Sequence, residues 1–339
     1  MRLRQKIGAL LYDWPPFALH MLRGDWVRVH NRNESIESDG RGVRCNWRFT
    51  SDLHIANVYP FTGAWLMRRT LTRWPIALRD APPAAATPQV SFLIGHRGTT
   101  RLPQLLATLR SIAGQRDAAI ECIVVEQSVA QQVRAALPPW VRYLHTPLPR
   151  PDLPYCRAWA FNVAARAAAS DVLVLHDGDF LVPERYAAEA LARVREGHDF
   201  VDLKRFMFYL GDADARRAEA GVPLRRLHPI TVVQNLQGGS VVASRDGYFA
   251  IGGFDEAFVG WGGEDNDFWD RAATTGRVYG FGYLPMIHLH HPQQGGKWQE
   301  STPGVARYRA IESIPAAERI ARLREREQGR VEGPLTDLS

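Results

Sequence analysis

Cysteine is scarce: Cys45, Cys122 and Cys156 are the only three in 339 residues, and none form a Cys-x-x-Cys pair. That argues against a disulfide framework or a cysteine zinc site and suits a reducing compartment. No run of eighteen apolar residues exists, so a membrane-crossing helix is not expected. Residues 1–21 begin basic, but Asp13, Trp14, Pro15 and Pro16 interrupt the apolar run and no convincing cleavage site follows. They are not read as a secretory signal, and a cytoplasmic location is expected. Internal repeats and nucleic-acid motifs are also absent, so no nucleic-acid partner is expected. Net charge is missing from most of the chain. Residues 1–80 carry 13 Lys and Arg against 7 Asp and Glu, so the whole excess of +6 lies there and residues 81–339 balance.

What is present is a globular composition, 45% hydrophobic, long enough for one large domain or two smaller ones. Half of the ten tryptophans (Trp14, Trp26, Trp47, Trp65 and Trp74) fall in the basic stretch 1–80. A basic, Trp-rich surface suits a polyanion or the anionic inner face of a membrane. The plainer reading is a small domain that packs its tryptophans inward and solvates its arginines.

Residues 81–88 form a Pro/Ala linker, after which the pattern changes. Apolar runs at 90–94, 120–125 and 171–175 read as strands. Stretches 102–112, 129–136 and 157–169 read as helices, and Pro183 opens another. Strand and helix alternate, which predicts a mostly parallel α/β sheet with helices on both faces and ligands beyond the strands' carboxyl ends. The expected organisation is a basic N-terminal extension (1–80), the linker, a catalytic domain (89–300) and a charged helical tail (301–339).

Three clusters carry chemistry. Asp177 and Asp179 end an apolar strand, where residues i and i+2 share a face and reach one cation. Hard oxygen donors suit Mg²⁺ or Mn²⁺, which neutralise a diphosphate; an exposed turn is the alternative. His288, His290 and His291 follow a second apolar run, and a neutral imidazole would complete an Mn²⁺ shell. His288 is the preferred ligand, with His290 or His291 as alternatives. Residues 258–269 place glycines and Trp261 directly before Glu264, Asp265 and Asp267. That order suits a sugar ring stacked on an indole above a carboxylate that takes a hydroxyl proton. A solvated acidic helix start would look similar.

The strand ending Gly95-His96-Arg97, the strand bearing Glu126, the Asp-x-Asp and the Gly-Trp-Gly-Gly-Glu-Asp segment follow the order of metal-dependent GT-A glycosyltransferases. Over residues 89–298 the chain resembles family 2 glycosyltransferases. Its second half is most similar to the β-1,4-galactosyltransferase carboxy-terminal region and to chondroitin-polymerase-type domains. The resemblance implies a GT-A, Rossmann-like nucleotide-diphospho-sugar transferase fold. It assigns Gly95, His96, Arg97, Glu126, Tyr155, Arg157, Asn162, Asp177, Gly238 and Gly239 to the nucleotide sugar. Trp261, Gly263 and Glu264 fall to the acceptor, Asp265 to the general base with Glu264 beside it, and Asp177, Asp179 and His288 to the metal.

The activity implied is inverting transfer from a nucleoside-diphosphate sugar, with UDP preferred, to a saccharide or lipid-linked hydroxyl, with Mn²⁺ or Mg²⁺. Glu126 and His96 are not the residues most common at their positions in that family. A nucleotidyltransferase and a non-catalytic polyanion-binding module are the competing readings.

Overall fold

The computed structural model describes residues 3–47, 50–84, 87–292 and 302–333. Its centre is a seven-stranded sheet. The spatial order is Val278–Tyr279, Phe200–Val201, Ser240–Ser244, Val172–His176, Val90–His96, Ile120–Ser128 and Arg142–Pro147. The last four strands are mutually parallel, whereas Ser240–Ser244 runs antiparallel to both neighbours.

The alternation of side chains explains the layers. Phe92, Ile94, Cys122, Val124, Val172 and Val174 face one core, while Leu93, Ile123, Val125, Leu173 and Leu175 face another. Both faces are therefore apolar, and helices cover each. Leu102–Ala113 and Tyr186–Arg195 pack on the first; Arg157–Ala167 packs on the second. The fold is mixed α/β and consistent with a GT-A-like nucleotide-sugar transferase.

A second sheet of five strands carries Ser51–Asp52, Pro229–Gln234, Lys204–Leu210, Leu284–His288 and Phe180–Leu181 in that order. Its outer face (Phe206, Phe208 and Ile287) shares one core with Phe17, Met21, Trp26, Leu66 and Met67. Val233 pairs with Asp52, and the buried Arg205 donates to the Val27 carbonyl at 2.7 Å. Trp26 is buried, Trp14, Trp65 and Trp74 are half-buried, and Trp47 is exposed.

Two helix expectations change. Stretch 129–136 forms only a 3₁₀ turn, Arg134–Ala136, because the Glu126 carboxylate captures the N–H groups of Gln132 and Val133 that a helix would need. The charged tail is two helices, Pro303–Ile311 and Ala316–Arg324, both against the acidic-motif helix Glu264–Ala273. Its Arg319 is buried against Asp267. Ala85 and Ala86 of the linker, and residues 293–301 and 334–339 of the expected domains, lie outside the described residues.

Candidate active site

The strands Val90–His96 and Val172–His176 end side by side, and their carboxyl ends open on one cleft. Gly95, Arg101, Tyr155, Arg157, Asp177, Asp179, Tyr209, Gly238, Gly239, Trp261, Glu264, Asp265, His288 and His291 all line it.

The strand Val172–His176 stops before the two aspartates, and Asp177-Gly178-Asp179 is a turn. The i/i+2 rule for strands therefore no longer applies, and the two carboxylates part. Asp177 accepts from Arg157 Nε at 2.7 Å. Asp179 turns toward the histidines: its Oδ2 lies 3.2 Å from His291 Nε2 and 4.0 Å from His288 Nε2.

Strand register creates this meeting. His288 pairs with Phe180, and the Leu289 N–H donates to the Asp179 carbonyl at 2.9 Å. One donor atom from each of Asp179, His288 and His291 lies within 4.8 Å of the others. Asp177, expected among the ligands, stands outside this trio. His290 points away, 40% exposed, with its Nδ1 3.7 Å from Asp212.

The trio's chemistry fits a cation. His291 Nδ1–H donates to the Pro292 carbonyl at 3.0 Å, so Nε2 faces the carboxylate oxygen as a lone-pair atom in the neutral ring and as a donor in the protonated one. Two acceptors so placed are held together by a proton or a metal. Asp179 Oδ1 is also buried with no hydrogen-bond partner among the described residues. Burial alone would raise the Asp179 carboxyl, yet His288, His291 and Arg101 hold it well below the usual carboxylate range. His288 is fixed in place by stacking on Tyr209 (4.2 Å between ring centres) and by the edge of Phe180.

The other half of the cleft is organised by Arg157, the first residue of Arg157–Ala167. Its guanidinium reaches Asp177, Asp265 at 2.8 Å and Glu264 at 3.4 Å, and lies over the Phe161 ring. Burial works against this charge, but the three carboxylates hold Arg157 well above its ordinary pKa. Burial also pushes Glu264 up to about 7, with the adjacent Asp265 charge adding to it. Asp177 rises in the same way, to about 6, against the pull of Arg157. The acidic helix start is therefore largely enclosed rather than solvated.

Glycine makes these approaches possible at two positions. A Cβ on Gly238 would sit 2.3 Å from Asp265 Oδ2. Gly263 caps the acidic helix at φ 85°, where its own Cβ would strike the Gly304 carbonyl.

Several expected contacts lie elsewhere. His96 is buried and bonds the Gly98 carbonyl at 2.7 Å. Arg97 clamps the carbonyls of Pro151 and Leu153. Glu126 is fully buried, bonded to Tyr143 and to the backbone of the loop after its strand. Asn162 braces Phe254, Glu256 and Gln328 behind the sheet. Gly263 shapes the turn without lining the cleft wall. These side chains are occupied with holding loops, which residue type alone does not reveal.

The structure adds Arg101, whose Nη1 is 3.5 Å from Asp179, and Leu236; of Phe206 and Tyr209, which the sequence offered for the acceptor pocket, Tyr209 lines the cleft and Phe206 is buried in the core. The spacing His288-x-x-His291 was the available signal for the second imidazole.

Part of this cleft lies in a segment that is similar to known proteins. Residues 221–288 match the family described as the N-terminal domain of galactosyltransferase. That segment contains Trp261, Glu264, Asp265 and His288. The chain is 30% identical over 131 residues to beta-1,4-galactosyltransferase 5 of Sus scrofa, Homo sapiens and Mus musculus. The match covers 36% of this chain and 27% of each relative, so it spans about a quarter of their length. Together these likenesses support a galactosyltransferase-like glycosyltransferase.

Proposed function

We propose that the chain is an inverting, metal-dependent glycosyltransferase, family 2-like in its first half. It moves a hexosyl or N-acetylhexosaminyl unit from a UDP-sugar to a hydroxyl of a saccharide or lipid-linked acceptor. One observation carries this reading: Asp179, His288 and His291 face the same cleft as Trp261, Glu264 and Asp265.

The charge balance of that cleft explains the need for a metal. Asp177, Asp179, Glu264 and Asp265 outnumber Arg101 and Arg157 among its described lining residues. A diphosphate would add negative charge to a site already in excess, so it enters only with a cation. Asp179, His288 and His291 are the residues that would hold it, and two imidazoles among three donors favour Mn²⁺ over Mg²⁺. When bound, the metal supplies Lewis-acid stabilisation of the departing diphosphate.

The chain's own groups do the rest. Arg101 and Arg157 offer charge-assisted hydrogen bonds to phosphate or sugar oxygens. Gly238 and Gly239 let the sugar approach the backbone, and Trp261 gives the acceptor ring a flat apolar face. Asp265, held by Arg157, takes the proton of the acceptor hydroxyl as that oxygen attacks the anomeric carbon. Displacement from the opposite face inverts that centre. Glu264, protonated for part of the population near neutral pH, donates to or accepts from an acceptor hydroxyl and orients it.

The test is a screen of UDP-, GDP- and dTDP-sugars with saccharide acceptors in Mn²⁺, following the released product. UDP release that a chelator abolishes supports the proposal. Pyrophosphate release would assign nucleotidyl transfer instead. Turnover that is unchanged in excess chelator would remove the metal from the reading.

A further inference from the structure

We propose that the N-terminal helices are a docking face for an anionic lipid bilayer. Twelve large apolar side chains among the described residues are strongly exposed, and eight of them come from this one region. They are Leu3, Ile7, Leu10, Leu11, Tyr12, Leu19, Leu22 and Phe61, between 44% and 75% exposed.

The helical segments Leu3–Gly8 and Trp14–Arg23 are joined by a π-helical turn at Ala9–Asp13; the turn and the second helix bury one face, whereas Leu3–Gly8 buries none of its residues. Ala9, Phe17 and Met21 pack into the core beneath the second sheet. A surface helix ordinarily presents polar residues opposite its buried stripe. Here the opposite face is apolar as well: Leu3, Ile7 and Leu11 recur at four-residue steps, and Leu19 and Leu22 continue at three. The half-buried Trp14 extends the patch, its ring centre 5.6 Å from that of Phe61.

Charge selects the occupant. Arg4, Lys6 and Arg23 are exposed around the patch, and no acid occurs between residues 3 and 12. Asp13 is largely enclosed, its carboxylate 2.8 Å from His54. The chain's whole positive excess lies within residues 1–80. A leucine-rich face rimmed by Lys and Arg, with Tyr12 and Trp14 beside it, matches the boundary between acyl chains and anionic headgroups. A second copy of the chain fits less well, because a two-fold contact would set this basic rim against itself.

This proposal is independent of the catalytic reading, and its test needs neither nucleotide nor metal. The full chain is sedimented with phosphatidylcholine vesicles, with and without phosphatidylglycerol. Binding to the anionic vesicles is expected, weakening as salt rises over the Debye range. The variant Leu3→Glu/Leu22→Glu replaces side chains 73% and 75% exposed, so its melting temperature should match the parent's. Its partitioning should fall by at least about tenfold, the equivalent of roughly 1.4 kcal/mol.

Arg4→Gln/Lys6→Gln should lower binding to anionic vesicles while leaving any residual binding to neutral ones unchanged. Absence of binding to anionic vesicles would overturn the proposal, as would equal binding by the leucine variant. A concentration-dependent dimer in light scattering that the leucine variant abolishes would also overturn it, by assigning the face to a second copy.

Discussion

Replacing Asp265 with asparagine keeps the size of the side chain and removes its capacity to accept a proton. The structure gives reason to expect a clean experiment. Asp265 offers Oδ1 to Arg157 at 2.8 Å and packs Oδ2 beneath Gly238, contacts an amide can fill without rearrangement. Arg157 keeps Asp177 and Glu264 as partners, so its buried charge stays compensated. The metal trio on the other side of the cleft does not include the altered residue. Folding and nucleotide binding should therefore survive. General-base catalysis is worth about 10²- to 10⁴-fold in rate. Asp265→Asn should lower kcat by that factor, roughly 3–5 kcal/mol of barrier. The assay is release of UDP with donor, acceptor and Mn²⁺ present, beside calorimetric titration of UDP with Mn²⁺. UDP affinity within about threefold of the parent's, with the rate nearly gone, would support the role. Turnover within tenfold of the parent would refute it.

Other expectations concern neighbouring groups. His291→Ala should weaken Mn²⁺ affinity by at least about tenfold, and His290→Ala should leave it unchanged, as measured by quenching of tryptophan fluorescence. Equal losses would mean that the observed trio is not the site. Glu264 has a folded pKa raised from 4.5 to about 7, so its contribution to stability is complete below pH 4.5 and lost as pH rises through 7. Glu264→Gln should therefore melt higher than the parent at pH 8 and show a smaller advantage at pH 5. A constant difference across that range would count against the assignment. Asp267 belongs to the same helix but pairs with the fully buried Arg271 and with Arg319. Asp267→Ala should cost about 3–5 kcal/mol in urea unfolding by stranding those charges. A loss below 1 kcal/mol would show that water or another group replaces the carboxylate.

The contrast between Asp265 and Asp267 shows how far the sequence can be read. Apolar periodicity located the strands Val90–His96, Ile120–Ser128 and Val172–His176 and the helices Leu102–Ala113 and Arg157–Ala167, because local burial on both faces writes itself into composition. It did not disclose that Ser240–Ser244 enters the sheet antiparallel, since strand direction leaves no trace in hydropathy. The family resemblance assigned Glu126, Arg97 and Asn162 to the nucleotide sugar. Their hydrogen bonds are instead spent on loops and on the C-terminal segment. A single sequence does not state which partner a polar side chain will find.

The inventory of the cleft was set by the sequence alone: an acidic turn after a strand, a glycine-tryptophan segment before carboxylates, and a late cluster of imidazoles. How those groups divide their work was decided by tertiary structure. The end of the strand at His176 sends Asp177 to Arg157 and Asp179 to the histidines. The pairing of His288 with Phe180 then brings His291 into reach and leaves His290 outside. Both outcomes depend on turn geometry and register: Asp177 meets Arg157 across twenty residues, whereas the pairing that gathers Asp179 and the histidines joins segments more than a hundred residues apart in the chain.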